Sequence, residues 1–124
     1  MLPTDPCPCG SAHSFGSCCQ AVHHGELAET AEQLMRSRYS AYAVGNMDHV
    51  WTTWDPATRP AGSMPDAVLA WTGLEILDTE DGGPDDEHGV VEYRAHYGDG
   101  ALHERATFNR RGGRWFYVDG DLYE

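Results

Sequence analysis

Four cysteines fall within the thirteen-residue stretch CPCGSAHSFGSCC (7–19), and the chain has no cysteine elsewhere. A chain of 124 residues builds about one domain with one modest core. A short segment rich in proline and glycine contributes little to such a core and needs a staple of its own. The cysteines supply it, and the compartment decides the kind. The start, MLPTDPCPCG, has no charged n-region and no apolar h-region. No secretory signal is expected, and the expected location is cytoplasmic. Disulfides are disfavoured there, and clustered cysteines more often bind metal.

The spacing is C-x-C, eight residues, then C-C: Cys7, Cys9, Cys18 and Cys19. Four thiolates suit a closed, tetrahedral, structural Zn²⁺ site with no open position for water. Pro8 stiffens the first pair, Gly10 and Gly16 permit turns around a metal, and Phe15 can cover it. The rival readings are weaker. A bond between adjacent Cys18 and Cys19 is strained, and the redox spacing C-x-x-C is absent. Fe²⁺ also suits four sulfurs. His13, His23 and His24 are nearby nitrogen donors that could replace one sulfur.

Composition narrows the function. Eight basic residues, all arginine, face twenty acidic ones, for a net charge of −12. That field repels a phosphate backbone and disfavours general nucleic-acid binding. The run TEDGGPDDEHG (79–89) reads as a solvated loop. No apolar run approaches the ~20 residues of a membrane span.

Thr30 with Gln33 forms a capping box that opens a helix over about 30–44, and Gly45-Asn46 closes it. A shorter helix, DHVWTTW, starts at Asn46 or Asp48 and is ended by Asp55-Pro56. RPAGSMP (59–65) reads as a loop, and Pro65 as the start of a short helix to about Trp71. Four strands follow: Leu74–Glu80, His88–Tyr97, Ala101–Arg111 and Arg114–Asp121. Gly98-Asp99-Gly100 and Gly112-Gly113 read as tight hairpin connections. Helices followed by an antiparallel meander imply an α+β fold, with helices on one face of a curved sheet.

Two charged residues fall where apolar ones belong. Ala31, Leu34, Met35 and Tyr42 share a helix stripe. Arg38 lands in the middle of it, while Arg36 points to water. On the third strand, alternation puts Glu104 with Leu102, Ala106 and Phe108, and His103 on the other face. On the last strand, strict alternation continues the Trp115 and Tyr117 face through Asp119 and Asp121. A buried arginine needs an acid, because an isolated interior charge is costly. Glu104 is the first candidate partner of Arg38 and Asp119 the second. The pair is either a core ion pair or the polar floor of a ligand cavity.

CPCGSAHSFGSCC resembles the SEC-C motif, a short zinc-binding segment found on the bacterial preprotein translocase ATPase and on other proteins. TAEQLMRSRYSAYAVGNMDHVWTTWDPATRP and LHERATFNRRGGRWFYVDG resemble the YchJ-like family of small uncharacterised bacterial proteins. The resemblance implies an N-terminal zinc knuckle (1–25) joined to a cone-shaped α+β domain of the nuclear-transport-factor-two-like superfamily (26–124). Helices close over a curved sheet in that domain and leave a pocket. It implies Cys7, Cys9, Cys18 and Cys19 as metal ligands. It offers Arg38, Tyr39, Tyr42, Trp54, Glu104, Phe108, Trp115, Tyr117 and Asp119 as pocket candidates. SEC-C motifs usually carry lysines between the cysteine pairs, and GSAHSFGS has none.

The implied function is a zinc-containing cytoplasmic binding module. It would dock a protein partner through the knuckle and take a small ligand in the cone. The alternative is an isomerase- or dehydratase-type enzyme with acid and base drawn from Glu104, Asp119, His103 and Tyr39. It has less support, because the sequence has no nucleophile elbow, phosphate loop or open metal site. His23, His24 and His88 read as exposed linker or loop residues.

Overall fold

The computed structural model describes residues 2–59 and 71–123. Within them, a 3₁₀ turn (Phe15–Ser17) and three helices precede four strands: α1 Cys19–His23, α2 Ala31–Val44, α3 Met47–Thr52, β1 Trp71–Asp81, β2 His88–Tyr97, β3 Gly100–Arg111 and β4 Arg114–Tyr123. The strands form one antiparallel sheet in the order β1-β2-β3-β4. Most of the loop expected over 59–65 and the helix expected from Pro65 lie outside the described residues. Trp71, placed at that helix's end by sequence, opens β1 instead and pairs with Tyr97. The two rings meet edge to face at 5.7 Å, a cross-strand aromatic contact that favours the strand.

Local chemistry fixes the helix ends. The Thr30 hydroxyl accepts from the Gln33 amide at 3.0 Å, and the Gln33 side chain accepts from the Glu29 amide at 2.7 Å. Gly45 takes φ 80°, a left-handed C-cap open to glycine at little cost. Asn46 then caps α3 by accepting from the His49 amide at 3.2 Å. The edge of β4 is partly covered. Tyr117 N donates to Thr53 O at 2.8 Å, and Asp55 N donates to Tyr117 O at 2.7 Å.

α2 packs across the sheet with Ala31, Leu34, Met35 and Tyr39 buried against Val91, Tyr93, Ala95, Ala106 and Phe108. Its burial exceeds one stripe, because Ser37, Ser40 and Ala41 are fully buried on the opposite side. The cysteine segment covers that side, and Cys7, Cys9, Phe15 and Cys19 belong to the same core cluster as the sheet residues. Arg36 is therefore not a purely solvent-facing residue. Its guanidinium donates to Cys9 O at 2.7 Å and to Glu32 at 3.0 Å, tying α2 to the knuckle.

The last strand departs from strict alternation. A bulge between Thr107 and Phe108 pairs Phe108 with Tyr117 but Thr107 with Asp119, so Val118 is the extra residue. The bulge flips every later side chain. Gly120 and Leu122 turn to the inner face opposite Ala106 and Glu104, and Asp119 and Asp121 turn outward. Asp119 is exposed. It is neither the partner of Arg38 nor part of the pocket.

Candidate metal centre and cone pocket

The knuckle is a small hydrogen-bonded fold built around its sulfurs. Cys7 N donates to His13 O at 2.9 Å, and Gly10 N closes a turn onto Cys7 O at 3.2 Å. Gly10 has φ 79° there. Gly16 is needed for space, since a Cβ at that position would lie 2.8 Å from the Pro3 Cβ. The four Sγ atoms all lie within 4.8 Å of one another. Cys9 to Cys18 is 3.7 Å and Cys18 to Cys19 is 4.0 Å. Tetrahedral Zn–S bonds of ~2.3 Å imply S···S edges of about 3.8 Å, so the cluster fits such an ion. Its surroundings fit too: Phe15 is buried in the same core cluster as Cys7, Cys9 and Cys19, and the Ser11 hydroxyl lies 3.2 Å from Cys18 Sγ.

The thiols share charge unequally. Cys9 is pulled down to about 4, first by the hydrogen bond from Cys19. Cys19 is pushed up, first by that same bond and then by burial. Burial also raises Cys18. A divalent cation would displace protons from such a cluster and make its binding pH-dependent.

Behind the knuckle, half-buried His23 meets buried His49. The rings of His23 and His49 stand 4.5 Å apart, so His23 is half-buried and is not the exposed linker residue the sequence suggests. Its Nε2 lies 2.8 Å from Ser37 O, a carbonyl, and therefore carries the proton. The Ser37 hydroxyl donates to Leu34 O at 2.7 Å. His49 Nε2, 2.9 Å from that hydroxyl, must then be the donor to it. Burial lowers both histidines. His49 falls to about 3, with His23 and Arg38 adding repulsion.

Histidines held neutral in the fold stabilise it fully above about pH 6.5. That stability is lost as pH falls from there toward 3, where the folded ring charges. Between pH 7 and pH 5, His49 alone is expected to cost about 2 kcal/mol. His49→Gln keeps a donor to Ser37 and should flatten the fall in stability with acid, measured by denaturant titration at each pH. Equal slopes in the two proteins would contradict this.

The second site lies between α2 and the sheet. A cavity of about 320 Å³ is lined by Met35, Tyr39, Tyr42, Trp71, Tyr93, Ala95, Leu102, Glu104, Tyr117 and Leu122. A smaller one of about 70 Å³ adjoins it, bounded by Arg38, Trp54, Met35, Tyr42, Tyr93, Glu104 and Tyr117. The larger volume falls within the ordinary range of small-molecule sites, and its aromatic walls around few polar groups match their composition.

Glu104, 7% exposed, stands at the junction. Tyr93 OH donates to its Oε1, and Tyr117 OH donates to its Oε2 at 2.7 Å. Burial, then the Glu104 charge, pushes both phenols up and keeps them as donors. Arg38, 3% exposed, does not reach Glu104. Its Nη1 donates to Val50 O at 2.9 Å and to Thr53 Oγ1 at 2.8 Å. Its guanidinium carbon lies 4.6 Å from the Tyr117 ring centre and 5.2 Å from that of Trp54. The direct Arg38–Glu104 ion pair expected from the sequence is replaced by cation–π contacts and a carbonyl. The structural reason is that the Tyr117 ring lies against Arg38 while its hydroxyl reaches Glu104.

The sequence-derived residues therefore separate. Arg38, Tyr39, Tyr42, Trp54, Glu104 and Tyr117 line the two cavities. Phe108 is fully buried in the core. Trp115 faces a different cleft of about 120 Å³, shared with His23 and His49, and Asp119 is on the outer surface. His103 is also on the outer face, 2.8 Å from Glu92. The acid–base set Glu104, Asp119, His103 and Tyr39 is therefore split across the sheet. Trp71 and Tyr93 line the pocket too, beyond the residues the family resemblance offers. Tyr93 was legible as an inward residue of β2, opposite Glu104 in register.

Gly120 makes room for the carboxylate. A Cβ there would come within 2.8 Å of Glu104 Cδ and 2.9 Å of Cγ. Gly120→Ala should displace Glu104 and destabilise the fold by about 1–3 kcal/mol. Unchanged stability in a urea titration would contradict the close packing.

Comparison with known proteins agrees with both halves. Residues 4–21 match the SEC-C motif, and residues 30–120 match the YchJ middle NTF2-like domain. The chain belongs to the YchJ-like family. A UPF0225 protein of Streptomyces coelicolor is 48% identical over 124 residues, covering 99% of this chain and 100% of its own. One from Corynebacterium efficiens is 49% identical, covering 95% and 94%. The solution structure of RPA3114, a SEC-C motif containing protein from Rhodopseudomonas palustris, superposes with a TM-score of 0.80 at 29% identity. It covers 95% of this chain and 98% of that one. The crystal structure of a SEC-C motif containing protein from Psychrobacter arcticus also gives 0.80, at 26% identity, covering 100% and 86%. The YchJ-like chain thus has an NTF2-like fold with an N-terminal cysteine cluster compatible with metal binding. Among the described residues, no helix is long and apolar enough to cross a membrane.

Proposed function

We propose that this YchJ-like chain is a small-molecule-binding protein whose N-terminus is stapled by one structural zinc ion. The observation that carries the reading is the cavity of about 320 Å³ with buried Glu104 at its floor. A carboxylate held by two tyrosine donors, inside aromatic walls, is costly to maintain in a core that serves only packing. Four sulfurs leave no coordination position for substrate, so zinc acts through folding, not chemistry. Zinc is the expected ion at a closed four-thiolate site, and metal analysis separates it from iron, which four sulfurs also suit. Its thiols face inward onto α2, while Ala12, His13 and Ser17 are exposed. Those three residues are the surface a protein partner of the knuckle would meet.

The test is extraction. Untagged protein is denatured, its small molecules are identified by mass spectrometry, and a Leu102→Trp variant that fills the cavity is treated identically. A molecule recovered stoichiometrically from the natural chain and lost from the variant is expected. The same extract from both would contradict the reading.

A further inference from the structure

We propose that the cone cavity binds a small zwitterion: a molecule with a carboxylate, an ammonium group beside it and an apolar body, as in the α-amino acids. This rests on reading the cavity as a ligand site and specifies what fills it.

Two buried charges, Arg38 and Glu104, share a cavity wall without pairing. Arg38 is almost fully buried, yet it has no ion pair among the described residues. Only its Nη1 finds hydrogen-bond partners there. A guanidinium carries five N–H donors, so most of its capacity is unused. A desolvated cation in that condition favours an anion beside it. Trp54 also lines this cavity and Trp71 the larger one, and the buried Nε1 of each has no partner among the described residues.

Glu104 bounds the same small cavity. Each of its oxygens receives one tyrosine hydroxyl, which leaves further lone-pair capacity on both. A ligand with only a carboxylate would suit Arg38 and be repelled by Glu104. A ligand with only an ammonium would suit Glu104 and be repelled by Arg38. A molecule with both, a few ångströms apart, satisfies each charge and adds no net charge to the core.

Size and composition divide the ligand in the same way. The inner space of about 70 Å³ admits a charged head group but not a whole molecule. The outer space of about 320 Å³, walled by Tyr39, Tyr42, Trp71 and Leu102, suits an apolar or aromatic body. Five residues border both spaces, Glu104 among them. Leu122, 66% exposed, lines the outer one.

The test titrates the intact, metal-loaded chain by calorimetry with L-phenylalanine, phenethylamine and 3-phenylpropionate. These share a phenylethyl body and differ in charged groups. Phenylalanine is expected to bind at least about ten-fold tighter than either single-charge probe, as one charge-assisted contact allows. Glu104→Gln should erase its advantage over 3-phenylpropionate. Asp119→Asn, on the outer surface and away from both cavities, should preserve it. If Glu104→Gln does not fold, the three-probe comparison on the natural chain decides alone. Equal or tighter binding of either single-charge probe overturns the zwitterion. So does failure of all three probes to bind while a molecule of another class is extracted, and the ligand-site reading then stands. No bound probe and no extracted molecule would remove both.

Discussion

Replacing Cys9 with serine is expected to abolish metal retention and to lower the melting temperature of the whole chain by more than about 10 °C. Structural sites of this sort supply on the order of 10 kcal/mol of metal-coupled folding energy, more than any one core side chain. A knuckle that folded independently on its own staple would leave the cone's transition in place when lost. The packing argues for a shared one. Cys9 is fully buried, and with Cys7 and Cys19 it belongs to the core that includes Tyr39, Val91 and Phe108, with Cys18 packed against it. The outer side of α2 depends on the knuckle, because Arg36 bonds to Cys9 O and Ser40 to Cys7 Sγ. Releasing the knuckle would expose Ser37, Ser40 and both histidines. A chelator should therefore reproduce the serine variant. Calorimetry and metal analysis on the same samples check this. Full metal content, or an unmoved transition with the metal gone, would contradict it.

The second large effect belongs to Arg38. Arg38→Met fills similar volume but leaves Val50 O and Thr53 Oγ1 without their donor. It also leaves Glu104 as the lone buried charge of the cavity. Removing one member of a buried charge pair costs about 3–5 kcal/mol. Because Arg38 and Glu104 are not in contact, about 3 kcal/mol is expected. The double variant Arg38→Met, Glu104→Gln should recover part of that loss, by about 1 kcal/mol or more, if the charges interact across the cavity. Urea titrations of the four proteins give the cycle. Strict additivity would show that the two charges are energetically independent.

Much of this was legible in the sequence, because the signals were local. Thr30 with Gln33, Gly45 with Asn46, and the glycine turns at 98–100 and 112–113 fix element ends by short-range chemistry. Arg38 and Glu104 were visible as charges out of place in an apolar pattern. The errors arise where distant segments decide. Ser37 and Ser40 fall off the apolar stripe, and His49 of α3 and the folded knuckle cover them. His23 looks like linker until His49 and Ser37 O arrive beside it. Asp119 was misplaced by one residue of bulge at Val118, which alternation alone does not reveal. Cost alone suggests a direct Arg38–Glu104 pair, but Tyr117 stands between the two, its ring against Arg38 and its hydroxyl on Glu104.

One chain carrying a structural metal and a separate ligand cavity has a signature in native mass spectrometry of untagged protein, prepared without chelators and compared with its denatured mass. The expected result is an excess of one zinc ion, four unoxidised thiols and a further small-molecule adduct that disappears on denaturation. A metal-free chain, or a native mass of protein and zinc alone that no added ligand shifts, would contradict it.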